Sequence, residues 1–249
     1  MKRSIISLIA LLFTQSLPLQ AAPEKGSTVE KNKKISWTFT PDESLPNVLI
    51  LGDSISIGYT LQVRKLLAGK ANVYRPINPK NNRPINCSGT LFGLERCAKM
   101  LNAHKWDVIH FNWGLHDLKH VKKAGSHDKS NDPKSPRQAS PEVYETKLKE
   151  IVAALQKTKA KLVFATTTPV VPGTLNPLRT PEDPILYNGI ATKIMEKNNI
   201  RINDLHAYCL PHLAKWQLPK NVHFKAVGSQ ALAKQVSAVI TEELAKTEK

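Results

Sequence analysis

From residue 45 onward, short apolar runs of strand length alternate with segments of helical periodicity. The run 47–51, centred on Val48-Leu49-Ile50-Leu51, predicts a strand, and the amphipathic stretch near 56–69 a helix. Asn72 to Ile77 predicts a weaker second strand, followed by a helix near 91–104. The strongest strand signal is Asp107-Val-Ile-His-Phe-Asn-Trp113, closed by a turn at Gly114. Ser140-Pro141-Glu142-Val143 combines an N-cap residue, a proline at the first helical position and an acid in the first turn, which predicts a helix to about Lys157. A fourth strand at Lys161–Thr167, a helix near 185–198, a short strand Arg201–Asn203 and helices near 205–215 and 226–246 complete the pattern. Two stretches lack periodicity, Lys119–Ala139 and the proline-rich Thr168–Pro184, and read as surface loops.

Strand and helix in alternation predict a central, mostly parallel five-stranded sheet covered by helices on both faces, a three-layer α/β/α sandwich. Functional groups of such sheets gather at the carboxyl ends of the strands. Ser54, the residues after Gly114 and the loop from Thr168 all fall on that edge.

The first 22 residues change the picture of location. Two positive charges, an apolar stretch from Ile5 to Phe13 and a small-residue end have the form of a secretory signal peptide, too short in its apolar part to span a bilayer. The expectation is an exported protein, periplasmic or extracellular, and not an integral membrane protein. Residues 23–44 read as an N-terminal arm and 45–249 as one domain. Removal of Lys2 and Arg3 takes the formal charge from +16 to +14, an excess that favours anionic partners such as acidic glycans. No basic helix, zinc-ligand spacing or aromatic RNA-binding motif accompanies it, so nucleic acid is not the expected partner. Cys87, Cys97 and Cys209 have no CxxC spacing, and the histidines around His116-Asp117-Leu118-Lys119-His120 match no zinc motif, so neither metal nor cofactor is expected. Cys87 and Cys97 are near enough in sequence to pair, and the spacing does not decide it.

Candidate chemistry starts at LGDSISI, residues 51–57. Gly52 suits a tight turn, Asp53 or Ser54 an N-cap, and the helix start beyond offers unpaired N–H groups beside the Ser54 hydroxyl. At the other end of the chain, LPKNVHFKAVGSQALA puts His223 just before the last predicted helix, and an imidazole there could serve as a base.

Taken together, GDSISIGY, NCSGTLFGLE, WDVIHFNWGLHDLK and NVHFKAVGSQALA resemble the GDSL or SGNH hydrolases, serine esterases and lipases of flavodoxin-like fold, over residues 47 to about 240. The resemblance implies that Ser54 is the nucleophile and His223 the general base. It also implies an oxyanion hole made of the Ser54 N–H, a backbone N–H at Gly89 (or Ser88) and the side chain at position 116, with Asn112 an alternative and Asp53 a further site residue. Two positions depart from the family pattern. Where an aspartate would orient the histidine the chain has Asn221, with Asp183 and Asp204 as acids that could substitute in space. In the GxND string, GLHD at 114–117 puts His116 where asparagine is expected. Trp113 fits either a sugar-stacking or a core position, and Tyr187-Asn188 either the pocket or a helix start. The implied activity is hydrolysis of small acyl esters, acetyl above all, on a carbohydrate. Its rivals are a lysophospholipase or thioesterase, and a glycan-binding protein that kept the fold with weakened catalysis.

Overall fold

The computed structural model describes residues 36–173 and 175–246. Residues 1–22, where a signal peptide is expected, and residues 23–35 of the expected arm lie outside the described residues. Five parallel strands form the sheet: β1 (Asn47–Leu51), β2 (Asn72–Tyr74), β5 (Val108–Phe111), β6 (Lys161–Ala165) and β7 (Arg201–Asn203), in the order β2-β1-β5-β6-β7. A hairpin of β3 (Ile77–Asn78) and β4 (Arg83–Pro84) stands apart from it. Val48, Leu49, Ile50, Val108, Ile109, Val163 and Phe164 are all fully buried, which is why these strands read as continuous apolar runs and not as alternating ones. Helices α1 (Ser54–Leu66) and α7 (Ala226–Ala245) pack on each other, and α2 (Thr90–Leu101), α3 (Pro141–Gln156) and α4 (Glu182–Lys197) form a second packed set, giving the expected three-layer α/β/α arrangement. Among the described residues no helix is long and apolar enough to cross a membrane.

Three expectations are corrected, each for a local reason. The second strand ends at Tyr74 because Pro76 has no N–H to give a ladder and Arg75 turns inward. The helix expected at 205–215 is broken by Pro211 into α5 (Leu205–Cys209), a 3-10 turn (Leu210–His212) and α6 (Leu213–Trp216). The stretch 119–139 is not a surface loop throughout: Lys119, His120, Val121, Gln138 and Ala139 are buried, and bridges His120–Arg137 and Val121–Lys129 fold it back on itself. Residues 36–44 lie along the β2 edge, with Arg64 donating to the Ser36 and Trp37 carbonyls and stacking on Phe39. All three cysteines are buried free thiols.

Candidate active site

Strand order reverses at β1, between β2 on one side and β5 on the other, and the chain leaves β1 into the turn Gly52-Asp53-Ser54 at that switch point. Gly52 has φ +146°, and a Cβ on it would lie 2.9 Å from Ser56 Oγ and 3.3 Å from the Asn112 carbonyl oxygen. Only glycine fits there. Asp53 caps α1 by accepting the Ile55 N–H at 2.8 Å, and its carboxyl, pushed up by burial, serves the turn and not the solvent-facing site. Arg75, fully enclosed, clamps the same turn: it donates to the Gly52 carbonyl at 2.6 Å, the Asp53 carbonyl at 3.2 Å and Ser56 Oγ at 2.8 Å.

His223 arrives from the α6–α7 connection. The Leu218 N–H donates to its carbonyl at 2.9 Å, Lys225 N–H donates to the Trp216 carbonyl at 2.7 Å, and Gln217 ties Val222 to Pro169. Since α7 packs along α1, this pinned turn ends beside the α1 start. Ser54 Oγ and His223 Nε2 are 2.8 Å apart. On the other side of the ring, His223 Nδ1 is 2.7 Å from Asn221 Oδ1, which also accepts the His223 N–H at 3.0 Å. An amide oxygen can only accept, so Nδ1 carries the proton and Nε2 presents its lone pair to Ser54.

Among the described residues no acid takes the place of Asn221. Asp183 accepts Arg137 Nε at 2.8 Å and caps Thr180, and Asp204 caps α5 and accepts the Thr166 hydroxyl. Asn112 is also excluded as an oxyanion donor, because its Nδ2 is spent on the Ala165 carbonyl at 2.8 Å and on Thr167 Oγ1. Gly89 is the N-cap of α2, on a loop joined to the nucleophile turn by a Cys87 N–H to Gly52 carbonyl bond of 3.1 Å. Its missing side chain leaves room for Asp117, whose Oδ1 would stand 2.9 Å from a Cβ at Gly89 and which accepts both the N–H and the hydroxyl of Thr90. Ser88 beside it holds φ +60°.

His116 lines the same pocket as Ser54 and His223, a cleft of about 420 Å³. Burial, then the neighbouring Lys119 and Arg179, push its pKa down to about 3, so the ring is neutral at any working pH. Lys119 Nζ lies 3.4 Å from His116 Nδ1. An ammonium only donates, so the ring proton is on Nε2. Trp113 is a core residue packed against Gly93, where a Cβ would come within 2.6 Å of its indole nitrogen. Tyr187 and Asn188 are structural too, donating to the Ala139 carbonyl and bracketing the Thr167 backbone. Among the described residues no three His, Cys, Asp or Glu side chains converge as metal ligands.

The model of the GDSL-like lipase/acylhydrolase family matches residues 50–231. The chain belongs to this family. Its fold is that of SGNH hydrolases of known structure. An acetyl xylan esterase, AlAXEase, aligns with a TM-score of 0.60 at 17% identity over 78% of this chain and 99% of its own. A lipase/acylhydrolase from Enterococcus faecalis aligns at 0.61 and 17% identity over 78% of this chain and 95% of its own. A mutant of Axe2, an acetyl-xylooligosaccharide esterase from Geobacillus Stearmophilus, aligns at 0.58 and 19% identity over 77% of this chain and 92% of its own. Compared by sequence with curated proteins, the chain matches none. As a GDSL-like acylhydrolase it is a serine hydrolase acting on ester bonds.

Nothing in the sequence marks Arg75 or Arg179, each a lone basic residue in a loop, or sets Lys119 apart from the neighbouring Lys122 and Lys123; the burial of all three depends on distant segments.

Proposed function

We propose that the protein is an exported esterase that removes small acyl groups, acetyl above all, from a carbohydrate. Ser54 Oγ attacks the ester carbonyl while His223 Nε2 takes its proton, and Asn221 holds the ring in the tautomer this requires. The developing oxyanion is met by the N–H groups of Ser54 and Gly89, both at helix starts, and by His116 Nε2–H. As the tetrahedral intermediate collapses, His223 returns the proton to the leaving alcohol. Water then attacks the acyl-Ser54 ester with His223 again as base, releasing the acid and restoring the serine.

The observation that carries this reading is the unbroken relay Ser54 Oγ to His223 Nε2 at 2.8 Å and His223 Nδ1 to Asn221 Oδ1 at 2.7 Å. A protein kept only to bind glycans has no use for an imidazole lone pair aimed at a serine. Support for small acyl groups comes from the cleft, where Lys119 and Arg179 stand beside Leu115 and His116, a poor lining for a long acyl chain. Support for carbohydrate comes from the acetyl-xylan and acetyl-xylooligosaccharide esterases among its structural neighbours, and support for export from the leader-like residues 1–22.

Hydrolysis of 4-nitrophenyl acetate, butyrate and decanoate by the mature chain tests it, with Ser54→Ala and His223→Ala beside it. Acetate should turn over fastest, and either substitution should cost roughly 10³-fold or more in kcat. Equal rates in the wild type and in Ser54→Ala, on these esters and on acetylated xylan, would reject the reading.

A further inference from the structure

We propose that the cleft at Ser54 takes esters bearing a second, anionic group, a carboxylate or sulfate, and that Arg179, Lys119 and Lys129 hold that group. This rests on the reading of Ser54 as an esterase nucleophile and names the class of ester it receives.

The cleft is lined by four basic side chains, Lys119, Lys129, Arg179 and Lys220, and by no carboxylate among its described lining residues. Basic residues exceed acids over the whole chain, 36 Lys and Arg to 20 Asp and Glu, and in this cleft the excess is complete, whereas Lys147 and Lys149 on α3 have Glu150 and Glu145 beside them. Arg179 is the most telling of the four. It is only 7% exposed, its Nε donates to the Leu115 carbonyl at 2.9 Å, and its Nη1 has only a long 3.5 Å contact with the Pro177 carbonyl. No ion pair reaches it among the described residues. The two acids whose charge it feels are engaged elsewhere, Asp53 as the α1 cap and Asp183 with Arg137.

Lys119, 6% exposed, is likewise without a carboxylate partner, its ammonium resting on His116. Burying a cation unpaired is costly, and the cost is offset when a ligand brings the counterion. A guanidinium fork matches the two oxygens of a carboxylate or sulfate, while an ammonium at the rim, as on Lys129, adds attraction without fixed geometry. Because His116 lies in the same wall as Arg179 and Lys119, the anionic group would sit within about one sugar ring of the scissile carbonyl. A uronic acid acetylated on its ring fits that description, and so does a dicarboxylic acid hemiester.

Matched substrate pairs test this and separate the two sources. For the alcohol half, acetylated glucuronic acid is compared with its methyl ester; for the acyl half, mono-4-nitrophenyl adipate with 4-nitrophenyl hexanoate. In at least one pair the acid should be preferred about tenfold or more in kcat/KM, the worth of a charged hydrogen bond. That preference should fall about tenfold in Arg179→Gln and severalfold in Lys129→Gln, and should shrink at high salt. Lys129 is exposed, so its substitution reads the effect even where loss of Arg179 unfolds the loop. A preference at or below one in both pairs, or one that neither variant moves, overturns the inference while Ser54-dependent turnover of neutral esters leaves the esterase reading standing. Absence of Ser54-dependent turnover on every ester overturns both.

Discussion

Asn221→Asp is the substitution whose outcome the geometry constrains most tightly. Asn221 Oδ1 sits 2.7 Å from His223 Nδ1, so an aspartate in the same rotamer keeps the hydrogen bond, the ring orientation and the tautomer, and adds one negative charge. Only the charge is new. A carboxylate about 4 Å from the imidazolium formed during attack is worth about 1 kcal/mol in water and about 4 kcal/mol at the effective dielectric of a protein surface. Both residues are exposed, which places the gain near the lower bound, about 1–2 kcal/mol. The expected result is a rise in kcat of about 5- to 30-fold, with the acid limb of the pH–rate profile moving to higher pH as the protonated imidazole is stabilised.

Asn221→Ala removes the acceptor altogether. It should cost about 1 kcal/mol, a several-fold fall, because the ring then rotates and exchanges tautomers with water. The assay is 4-nitrophenyl acetate hydrolysis across pH 5 to 9 for the three proteins. If Asn221→Asp is no faster than wild type and its acid limb does not move, His223 is not the base that the 2.8 Å contact to Ser54 implies. If Asn221→Ala matches wild type, the amide does not orient the ring.

The other outcomes concern the third oxyanion donor, two kinds of buried titratable group and one core glycine. His116→Ala should lower kcat about 100-fold with little change in KM, whereas His116→Asn, which keeps an N–H donor, should recover part of it; equal losses would mean that His116 does not meet the oxyanion. Asp117 is buried and its pKa is pushed up to about 6 from 3.8, mainly by desolvation, so the folded state holds its proton more tightly than the unfolded chain. Its ionisation therefore destabilises the fold as pH rises from about 4 to 6, by about 3 kcal/mol once complete. Asp117→Asn lacks this loss, so denaturant melts should show its stability relative to wild type improving by about that amount between pH 4 and pH 7; a constant difference would refute it. His110 and His116, both held neutral by burial with pKa pushed down to about 3, act in the opposite direction, contributing stability that is present above about pH 6.5 and lost as pH falls toward 3. Thermal melts of His110→Gln should therefore be less acid-sensitive than wild type, and an unchanged slope would count against it. Gly93→Ala should cost about 1–3 kcal/mol, since its Cβ would meet Trp113 at 2.6 Å and Ile151 at 3.0 Å; an unchanged melting temperature would show that the indole can move aside.

Much of this fold could be read along the chain because a parallel sheet covered on both faces leaves a coarse pattern. Val48–Leu51 and Val108–Phe111 are apolar at consecutive positions since neither face sees water, and Ser140-Pro141 starts α3 by local chemistry that needs no partner. The nucleophile turn was legible for the same reason: the Gly52 conformation and the Asp53 cap are set within a few residues. The pattern along the chain fails where distant segments decide. Val121 and Gln138 are buried because two ends of one polar stretch bridge each other, and neither its composition nor its periodicity encodes that pairing. Arg75 and Arg179 carry no periodic signal, since each occupies a single position where loops from different strands meet.

Of the two departures from the family pattern, Asn221 removes a negative charge, while His116, neutral like the asparagine expected there, changes none. With Asn221 neutral, the imidazolium formed on His223 has no carboxylate beside it, and with His116 neutral the oxyanion is met by dipoles alone. Ser54, His223, Asn221 and His116 thus carry no fixed charge before attack, while the wall next to them carries Lys119 and Arg179. An anionic substrate held by those cations would bring a negative charge toward His223 in the bound complex, supplying part of the stabilisation that an aspartate at 221 would otherwise give. On that reasoning Asn221→Asp and the anionic substrate group act on the same imidazolium, so their effects should not add. The rate gain from Asn221→Asp should be largest on neutral esters and smaller on acid-bearing ones. A gain of equal size on both substrate classes would show that the bound anion lies too far from His223 to matter, and that the cations serve binding only.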